Sequence, residues 1–89
     1  MWFVYILQCE DNSLYTGATN DVAHRFAAHC RGVGGKYTRA HLPVRIVYTE
    51  PHTTKSAALK REAAIKQWTR TQKISQLALQ LADQTQKIK

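Results

Sequence analysis

Two tyrosines, Tyr5 and Tyr15, stand ten residues apart in short apolar runs that a polar stretch separates. The first run, Trp2–Cys9, is rich in the aromatic and β-branched residues that strands favour, and the second covers Leu14–Ala18. Glu10–Ser13 between the runs has the composition of a tight turn. The pattern predicts a β-hairpin that brings both phenols near one edge of a sheet.

A helix is predicted directly after the hairpin, with Thr19 or Asn20 as its N-cap and Cys30 near its end. Arg25 and His29 are four residues apart, so a helix would present them on one face. Phenols, a guanidinium and an imidazole gathered in one place suit phosphate chemistry. They do not suit an ordinary apolar core.

Turn residues and periodicity predict the remaining elements. We expect a flexible basic loop over 31–42, a third strand over 44–50, a helix from 53 or 54 to about 68, and a C-terminal helix over 71–82 capped by Thr71. The length suits one domain over 1–82, with a polar tail over 83–89. The apolar stripe of the last helix could pack on the domain or dock a partner and form an oligomer; it consists of Ile74, Leu77, Ala78 and Leu81.

Glu62 interrupts the apolar side of the helix predicted to end near residue 68. That side consists of Ala58, Leu59, Ile65 and Trp68. A carboxylate in this position costs free energy unless a partner compensates its charge. Two interpretations stay open: a structural salt bridge to Arg25 or a lysine, or a cleft carboxylate that binds a metal or acts as an acid or base.

The chain is strongly basic, with 13 lysines and arginines against 6 aspartates and glutamates and a net charge of +7. The excess is concentrated in residues 31–73, which hold ten basic residues and two acidic ones. A clustered positive field attracts polyanions, so nucleic acid is the expected partner and a basic surface kept for solubility is the alternative.

No stretch approaches the ~20 apolar residues of a membrane span, and the apolar start is too short for a signal peptide. Cys9 and Cys30 are therefore expected as reduced thiols in a cytoplasmic protein. The cysteines and histidines show no metal-ligand spacing.

The order of a strand with Tyr5, a strand with Tyr15–Gly17, a helix with Arg25, a third strand and a helix with Glu62 resembles the GIY-YIG nuclease domain over about residues 1–75. Within that superfamily, the chain is most similar to the small stand-alone bacterial proteins of the YhbQ-like branch. Four segments in order carry this closer match: Leu14–Gly17, Lys36–Arg39, Pro43–Tyr48 and Arg61–Lys66. The resemblance implies an α+β fold in which helices flank a three-stranded antiparallel sheet.

The chain departs from the family pattern at three positions. Phe3–Tyr5 lacks the glycine of the first motif, and Thr16 replaces the isoleucine of the second, but both changes keep the tyrosines. Ala18 stands where DNA-repair relatives have a lysine that helps balance the charge around the tyrosine. Lys36 and Arg39 of the basic loop are the candidates to replace that lysine.

The resemblance implies that Tyr15 is a general base. Because a phenol ordinarily ionises near pH 10, this role requires nearby cations or a metal-bound water. Arg25 would neutralise phosphate oxygens, and Glu62 would hold one Mg²⁺ or Mn²⁺ ion that keeps several water ligands. Tyr5 would orient the attacking water or the Tyr15 network, and His29 would hold the nucleophile region or a phosphate.

Plainer interpretations exist for these residues. Tyr5 and Tyr15 could be half-buried strand residues with solvated hydroxyls, and His29 could be a positive charge at a helix C-terminus. Tyr37 is open between a structural role and base stacking.

The first functional hypothesis is a divalent-metal-dependent endonuclease with low sequence specificity. Its substrate would be DNA, with branched, damaged or single-stranded forms as candidates and repair or recombination as the process. The predicted nucleic-acid contacts are Lys36, Tyr37, Arg39, Arg45 and Lys66. The alternative is a nucleic-acid-binding module on a nuclease scaffold with little or no catalytic turnover.

Overall fold

Three strands and four helices make up residues 1–80, the part of the chain that the structure, a computed structural model, describes. In chain order they are β1 (Trp2–Cys9), β2 (Leu14–Thr19), α1 (Val22–Cys30), α2 (Lys36–Ala40), β3 (Pro43–His52), α3 (Lys55–Lys66) and α4 (Arg70–Leu77). The strands form one antiparallel sheet in the order β2-β1-β3. The predicted α+β fold, with a three-stranded antiparallel sheet flanked by helices, is confirmed.

The middle strand β1 is buried on both faces, which explains its almost unbroken apolar run. Val4 and Ile6 point to one face, where they form the core with Ala58 and Ile65 of α3. Tyr5 points to the other face, which α1 and α2 cover. Because full burial of a Val or Ile side chain stabilises by about 1.5–3 kcal/mol, the first face supplies most of the force that holds α3 to the sheet.

Two expectations about the segment after the hairpin were wrong. Asp21, rather than Thr19 or Asn20, caps α1, because its carboxylate accepts a hydrogen bond from the His24 amide. The predicted flexible loop over 31–42 contains a short helix, α2, which packs against α1.

The third strand and the helix after it also differ in detail from the prediction. β3 continues through Pro51, which an edge strand tolerates because its outer side needs no ladder hydrogen bond. α3 ends at Lys66 rather than near residue 68, so Trp68 packs against the core from beyond the helix. Within α3, Ala58 and Ile65 are fully buried, but Leu59 is 43% exposed. The sheet covers only one side of α3, so the buried stripe is narrower than predicted.

α4 starts one residue before the predicted helix and ends at Leu77 rather than at residue 82. Thr69, not Thr71, is its N-cap, since the Thr69 hydroxyl accepts from the Gln72 amide while the Gln72 side chain accepts from the Thr69 amide. The helix stops where Ala78 adopts a left-handed conformation, with φ 52°.

The apolar residues at the end of α4 contact the core of their own domain. Leu77 and the following Leu79 pack against the Val4–Ile6 face of the sheet. Of the described members of the stripe, Leu77 is therefore used within the fold, whereas Ala78 is exposed. Leu81 and the predicted tail over 83–89 lie outside the described residues.

The capping assignment can be tested with two matched variants. Thr69→Ala removes the capping hydroxyl, and we expect it to lower the free energy of unfolding by about 0.5–2 kcal/mol. Thr71→Ala makes the same chemical change inside the first turn and should alter stability by less than about 0.5 kcal/mol. Urea denaturation followed by circular dichroism measures both, and equal losses would contradict the assignment.

Candidate active site

Strand pairing places the two tyrosines on one face of the sheet. Tyr5 pairs with Gly17 and Leu7 pairs with Tyr15, so the two rings are neighbours with centroids 6.4 Å apart. Their environments differ because β1 is the middle strand and β2 is an edge strand. Tyr5 is 2% exposed and Tyr15 is half-buried, so only Tyr15 lies at the sheet edge predicted for both.

A buried chain of three side chains, Tyr5, His29 and Thr38, joins the sheet to the helices that cover it. The Tyr5 hydroxyl lies 2.8 Å from Nε2 of His29 on α1, and Nδ1 of His29 lies 2.6 Å from Oγ1 of Thr38 on α2. His29 and Thr38 are completely buried. The Tyr15 ring packs edge-on against the His29 ring, with centroids 5.1 Å apart, so the buried chain supports Tyr15.

Two glycines make room for the buried chain. A methyl group on the Cα of Gly17 would overlap the hydroxyl and ring of Tyr5. A methyl group on Gly34 would overlap the His29 imidazole. The glycine of the Tyr15-Thr16-Gly17 motif therefore has a steric function, because it lets the Tyr5 ring lie across the neighbouring strand.

Burial keeps both ionisable members of the buried chain neutral at pH 7. It raises the pKa of Tyr5 to about 12, although the neighbouring Arg25 guanidinium opposes that rise. It also lowers the pKa of His29, and there the charge of Arg25 acts in the same direction. His29 is therefore not an exposed positive charge at a helix end, and its burial keeps it from direct contact with a phosphate. The Tyr5 hydroxyl is not solvated, because it contacts His29 in the interior.

Arg25 lies beside the buried chain. Its Nη2 donates to the Gly34 carbonyl at 3.0 Å, which ties α1 to the segment before α2. Its charge affects the pKa of both Tyr5 and His29. The structure therefore brings the guanidinium, the imidazole and the first phenol into one assembly.

An open cleft of about 380 Å³ lies at the β2 edge of the sheet. Its walls consist of Leu14, Tyr15, Thr16, Tyr37, Lys66 and Lys73. Tyr37 of α2 stacks on the Tyr15 ring, with centroids 5.8 Å and planes 19° apart. The wall of the cleft therefore contains a phenol and two lysines.

Glu62 approaches this cleft from the opposite face of the sheet. It lies on α3 between the buried Ala58 and Ile65, yet its side chain is 16% exposed. Its Oε2 lies 2.8 Å from Nζ of Lys66, a residue of the cleft wall. Burial is the main cause of the raised pKa of Tyr5. The charge of Glu62 also raises that pKa, but its effect is the smallest of those that act on Tyr5.

The salt-bridge interpretation of Glu62 is realised with Lys66 rather than with Arg25. The Lys66 side chain is 50% exposed and the Glu62 side chain is 16% exposed, so solvent screens the pair chiefly from the lysine side. One partly screened lysine does not account for a mostly buried carboxylate on the sheet-facing side of a helix, so a metal-binding role stays open.

The donor set fits a hydrated ion held by one carboxylate. Mg²⁺ commonly keeps several waters and binds through one or two carboxylates together with substrate phosphate. Glu62 can supply one such carboxylate, because its side chain is partly exposed. The set does not fit an ion held by protein side chains alone. Within residues 1–80, no three His, Cys, Asp or Glu residues are close enough to share an ion.

The predicted nucleic-acid contacts fall in two places. Four lie on the cleft or on the helix beside it, namely Lys36, Tyr37 and Arg39 on α2 and Lys66 on α3. Arg45 lies on β3, which the middle strand separates from Tyr15, and it is not part of the cleft wall.

Lys73 was not among the site residues predicted from the sequence. The side chain of Ala18 packs on the core, and the cleft walls contain Lys66 and Lys73 rather than the expected Lys36 or Arg39. A signal was present, because Lys73 precedes Leu77 by four residues and so shares the face of α4 that packs on the domain.

Comparison with known proteins gives the family. Residues 1–75 match the model of the GIY-YIG catalytic domain. A UPF0213 protein of Staphylococcus epidermidis is 53% identical over 75 residues, which cover 84% of this chain and 92% of that protein. A UPF0213 protein of Staphylococcus aureus is 54% identical over 72 residues, which cover 81% and 88%.

Two solved structures share the fold. The NMR structure of a UPF0213 protein from Bacillus halodurans is 40% identical, with 88% of this chain and 84% of that chain covered and a TM-score of 0.56. The NMR structure of a protein from E. faecalis is 39% identical, with 85% and 81% covered and a TM-score of 0.59. The chain therefore belongs to the GIY-YIG family and, within it, to the UPF0213 proteins, which confirms the resemblance found in the sequence.

In the part of the chain that the structure describes, no helix has the length and apolar character needed to cross a membrane.

Acid should destabilise the fold through His29. Because burial lowers the pKa of His29 in the folded state, the unfolded chain takes up more protons once the pH falls below about 6.5. The free energy of unfolding should therefore decrease from pH 7 to pH 5, by at most about 1.4 kcal/mol per pH unit from this group. Urea denaturation at a series of pH values measures the slope.

His29→Gln should remove this part of the slope, because glutamine stays neutral. His24→Gln, on the exposed side of the same helix, is the matched control and should keep it. Parallel pH profiles for the wild type and His29→Gln would show that His29 is not the titrating group.

Proposed function

We propose that this protein is a divalent-metal-dependent endonuclease that hydrolyses DNA phosphodiester bonds with low sequence specificity, in DNA repair or recombination. The observation that carries the proposal is the cleft at the β2 edge, whose walls include the half-buried Tyr15 together with Lys66 and Lys73. The match of residues 1–75 to a catalytic domain supports a reaction as well as binding.

The two tyrosines have different roles because they differ in burial. Tyr5 is sealed and neutral, so it serves as a positioning residue that fixes His29 and the face on which Tyr15 packs. Tyr15 is half-buried and lines the open cleft, so its hydroxyl can meet the attacking water. Tyr15 is therefore the group assigned to take the proton from the attacking water.

Positive charge in the site offsets the negative charge of the phosphodiester. Attack on an anionic phosphorus becomes easier when fixed cations neutralise the charge that builds on the phosphoryl oxygens. Lys66 lies on the cleft wall, and Arg25 stands beside the buried chain that supports Tyr15. Arg25 also offers a forked set of donors, which suits phosphate oxygens.

Glu62 is the residue assigned to hold one Mg²⁺ or Mn²⁺ ion. When bound, such an ion supplies Lewis-acid stabilisation of the leaving oxygen. Lys66 has to move away from the carboxylate for the ion to bind, and the exposure of Lys66 makes that movement inexpensive.

Contacts to the DNA backbone account for the low specificity. Lys36 and Arg39 on α2 are exposed cations beside the cleft, and backbone contacts carry no sequence information. Tyr37 is 40% exposed, and its ring contacts both Tyr15 and His41, with centroids 5.8 Å and 4.3 Å away. We infer branched, damaged or single-stranded DNA as the substrate, because an unpaired base would stack on Tyr37 in place of the His41 ring.

Nicking of supercoiled plasmid in Mg²⁺ or Mn²⁺ tests the proposal. The wild type should nick, and Glu62→Ala and Tyr15→Phe should each lower the rate by about 10²-fold or more while still retarding DNA in a gel. Glu10→Ala in the exposed turn and Tyr48→Phe on β3 are matched controls that should nick normally.

The pattern across the variants decides between the hypotheses. Equal nicking by the wild type, Glu62→Ala and Tyr15→Phe would identify a contaminant and contradict the assignment. DNA binding without metal-dependent nicking by the wild type would instead establish the second hypothesis, a nucleic-acid-binding module with little or no turnover.

A further inference from the structure

Lys73 is a buried lysine in the wall of the same cleft. It projects from α4, is 8% exposed, and donates from Nζ to the Thr16 hydroxyl at 2.9 Å. Thr16 is the residue between Tyr15 and Gly17 on β2, and both Thr16 and Lys73 line the cleft. The ammonium group therefore lies against the β2 segment that carries Tyr15, on the Ile6 face of that strand, because Thr16 pairs with Ile6 and Tyr15 pairs with Leu7.

This placement is unfavourable for the protein in the absence of a ligand. Burial lowers the pKa of Lys73, and the nearby charge of Lys66 lowers it further, because two cations face the same space. Within residues 1–80, no carboxylate forms an ion pair with Lys73. An ammonium group has three donors, and the Thr16 hydroxyl takes one of them.

A purely structural role does not explain the residue. α4 is already held to the domain by Leu77 and Leu79 in the core and by Arg70, whose Nε donates to the Asn12 carbonyl at 2.9 Å. An apolar residue at position 73 would provide the same packing without the cost of burying a charge. A buried, charged side chain at position 73 is explained if an anionic ligand binds in the cleft.

We propose that Lys73 and Lys66 together form a seat for a non-bridging oxygen of a nucleic-acid phosphodiester, next to Tyr15. The proposal deepens the proposed function and rests on it, because it makes the cleft a phosphodiester site. Lys73 is then a substrate-binding residue held in place by Thr16. Lys66 is the second cation of the seat, and its side chain is half-exposed although it pairs with Glu62.

Three variants test the seat. Lys73→Met keeps the aliphatic stem and removes the charge, Lys73→Arg keeps the charge, and Lys60→Met removes a charge from the exposed outer face of α3. We expect Lys73→Met to lower kcat/KM for plasmid nicking at least tenfold, Lys73→Arg to recover most of that loss, and Lys60→Met to stay within twofold of the wild type.

Binding of a fluorescent single-stranded oligonucleotide, measured by anisotropy at several salt concentrations, gives a readout without turnover. Loss of one phosphate contact should reduce the slope of log K against log salt by about 0.7. Lys73→Met should show this reduction. Lys60→Met should not show it, so a general loss of positive charge is separated from the loss of a specific contact.

A measurement on the unaltered side chain covers the case in which Lys73→Met does not fold. Protein with ¹³C-labelled lysine side chains is titrated with the dinucleotide d(TpT), and the Lys73 signal is assigned from its absence in Lys73→Arg. The Lys73 and Lys66 signals should shift in a saturable manner, and the Lys60 signal should not. A Lys73 signal that stays unmoved, or moves no more than that of Lys60, overturns the seat.

The two proposals fail in different ways. If the wild type does not nick plasmid in either metal while d(TpT) shifts Lys73, the hydrolytic proposal fails and the phosphodiester seat stands. If the wild type nicks, and folded Lys73→Met nicks and binds with the same kcat/KM and the same salt slope, the seat fails and the nuclease stands.

Discussion

The hydrogen bond between Tyr5 and His29 is the contact on which the candidate site depends. It joins the middle strand to α1 in the interior, and His29 passes the connection on to Thr38 of α2. A buried polar atom without its partner costs about 1–3 kcal/mol. Removing any one of these three side chains therefore leaves a neighbouring side chain with an unsatisfied hydrogen-bonding atom. The bond therefore holds three elements in one arrangement, and Tyr15, packed against the His29 ring, takes its position from them.

Neutrality limits the buried chain of Tyr5, His29 and Thr38 to two donor orders. A neutral imidazole has one N–H donor and one bare nitrogen that accepts. Either Tyr5 donates to Nε2 while Nδ1–H donates to Thr38, or Thr38 donates to Nδ1 while Nε2–H donates to Tyr5. Both orders satisfy the ring without charge, whereas an imidazolium would place a cation where burial and Arg25 oppose it. The framework is thus built to stay unchanged near neutral pH, and the ionisable chemistry is left to the open cleft.

Local patterns were enough to predict the scaffold of this site, because the hairpin, the spacing of Arg25 and His29, and the misplaced carboxylate of Glu62 each lie within one element or two adjacent ones. The environments of the side chains depend on contacts that no local pattern contains. A hairpin pattern does not show whether β1 or β2 pairs with the third strand. Because β3 pairs with β1, Tyr5 is buried in the middle strand and Tyr15 lies on the edge strand. Lys73 meets a partner 57 residues away, so its place in the cleft follows only from the packing of α4.

Lys66 connects the two halves of the proposed reaction centre, since it pairs with Glu62 and also lines the cleft beside Tyr15. It cannot serve the carboxylate and a phosphate fully at the same time. When Lys66 leaves Glu62, the carboxylate becomes available to an ion and the ammonium becomes available to the phosphodiester. Each of the two ligands then lowers the cost of binding the other, which is a positive coupling between their sites. An ion pair buried on both sides would resist this exchange, whereas a lysine that is 50% exposed can leave its partner. The exposure of Lys66 is therefore what makes the Glu62–Lys66 pair compatible with the proposed reaction.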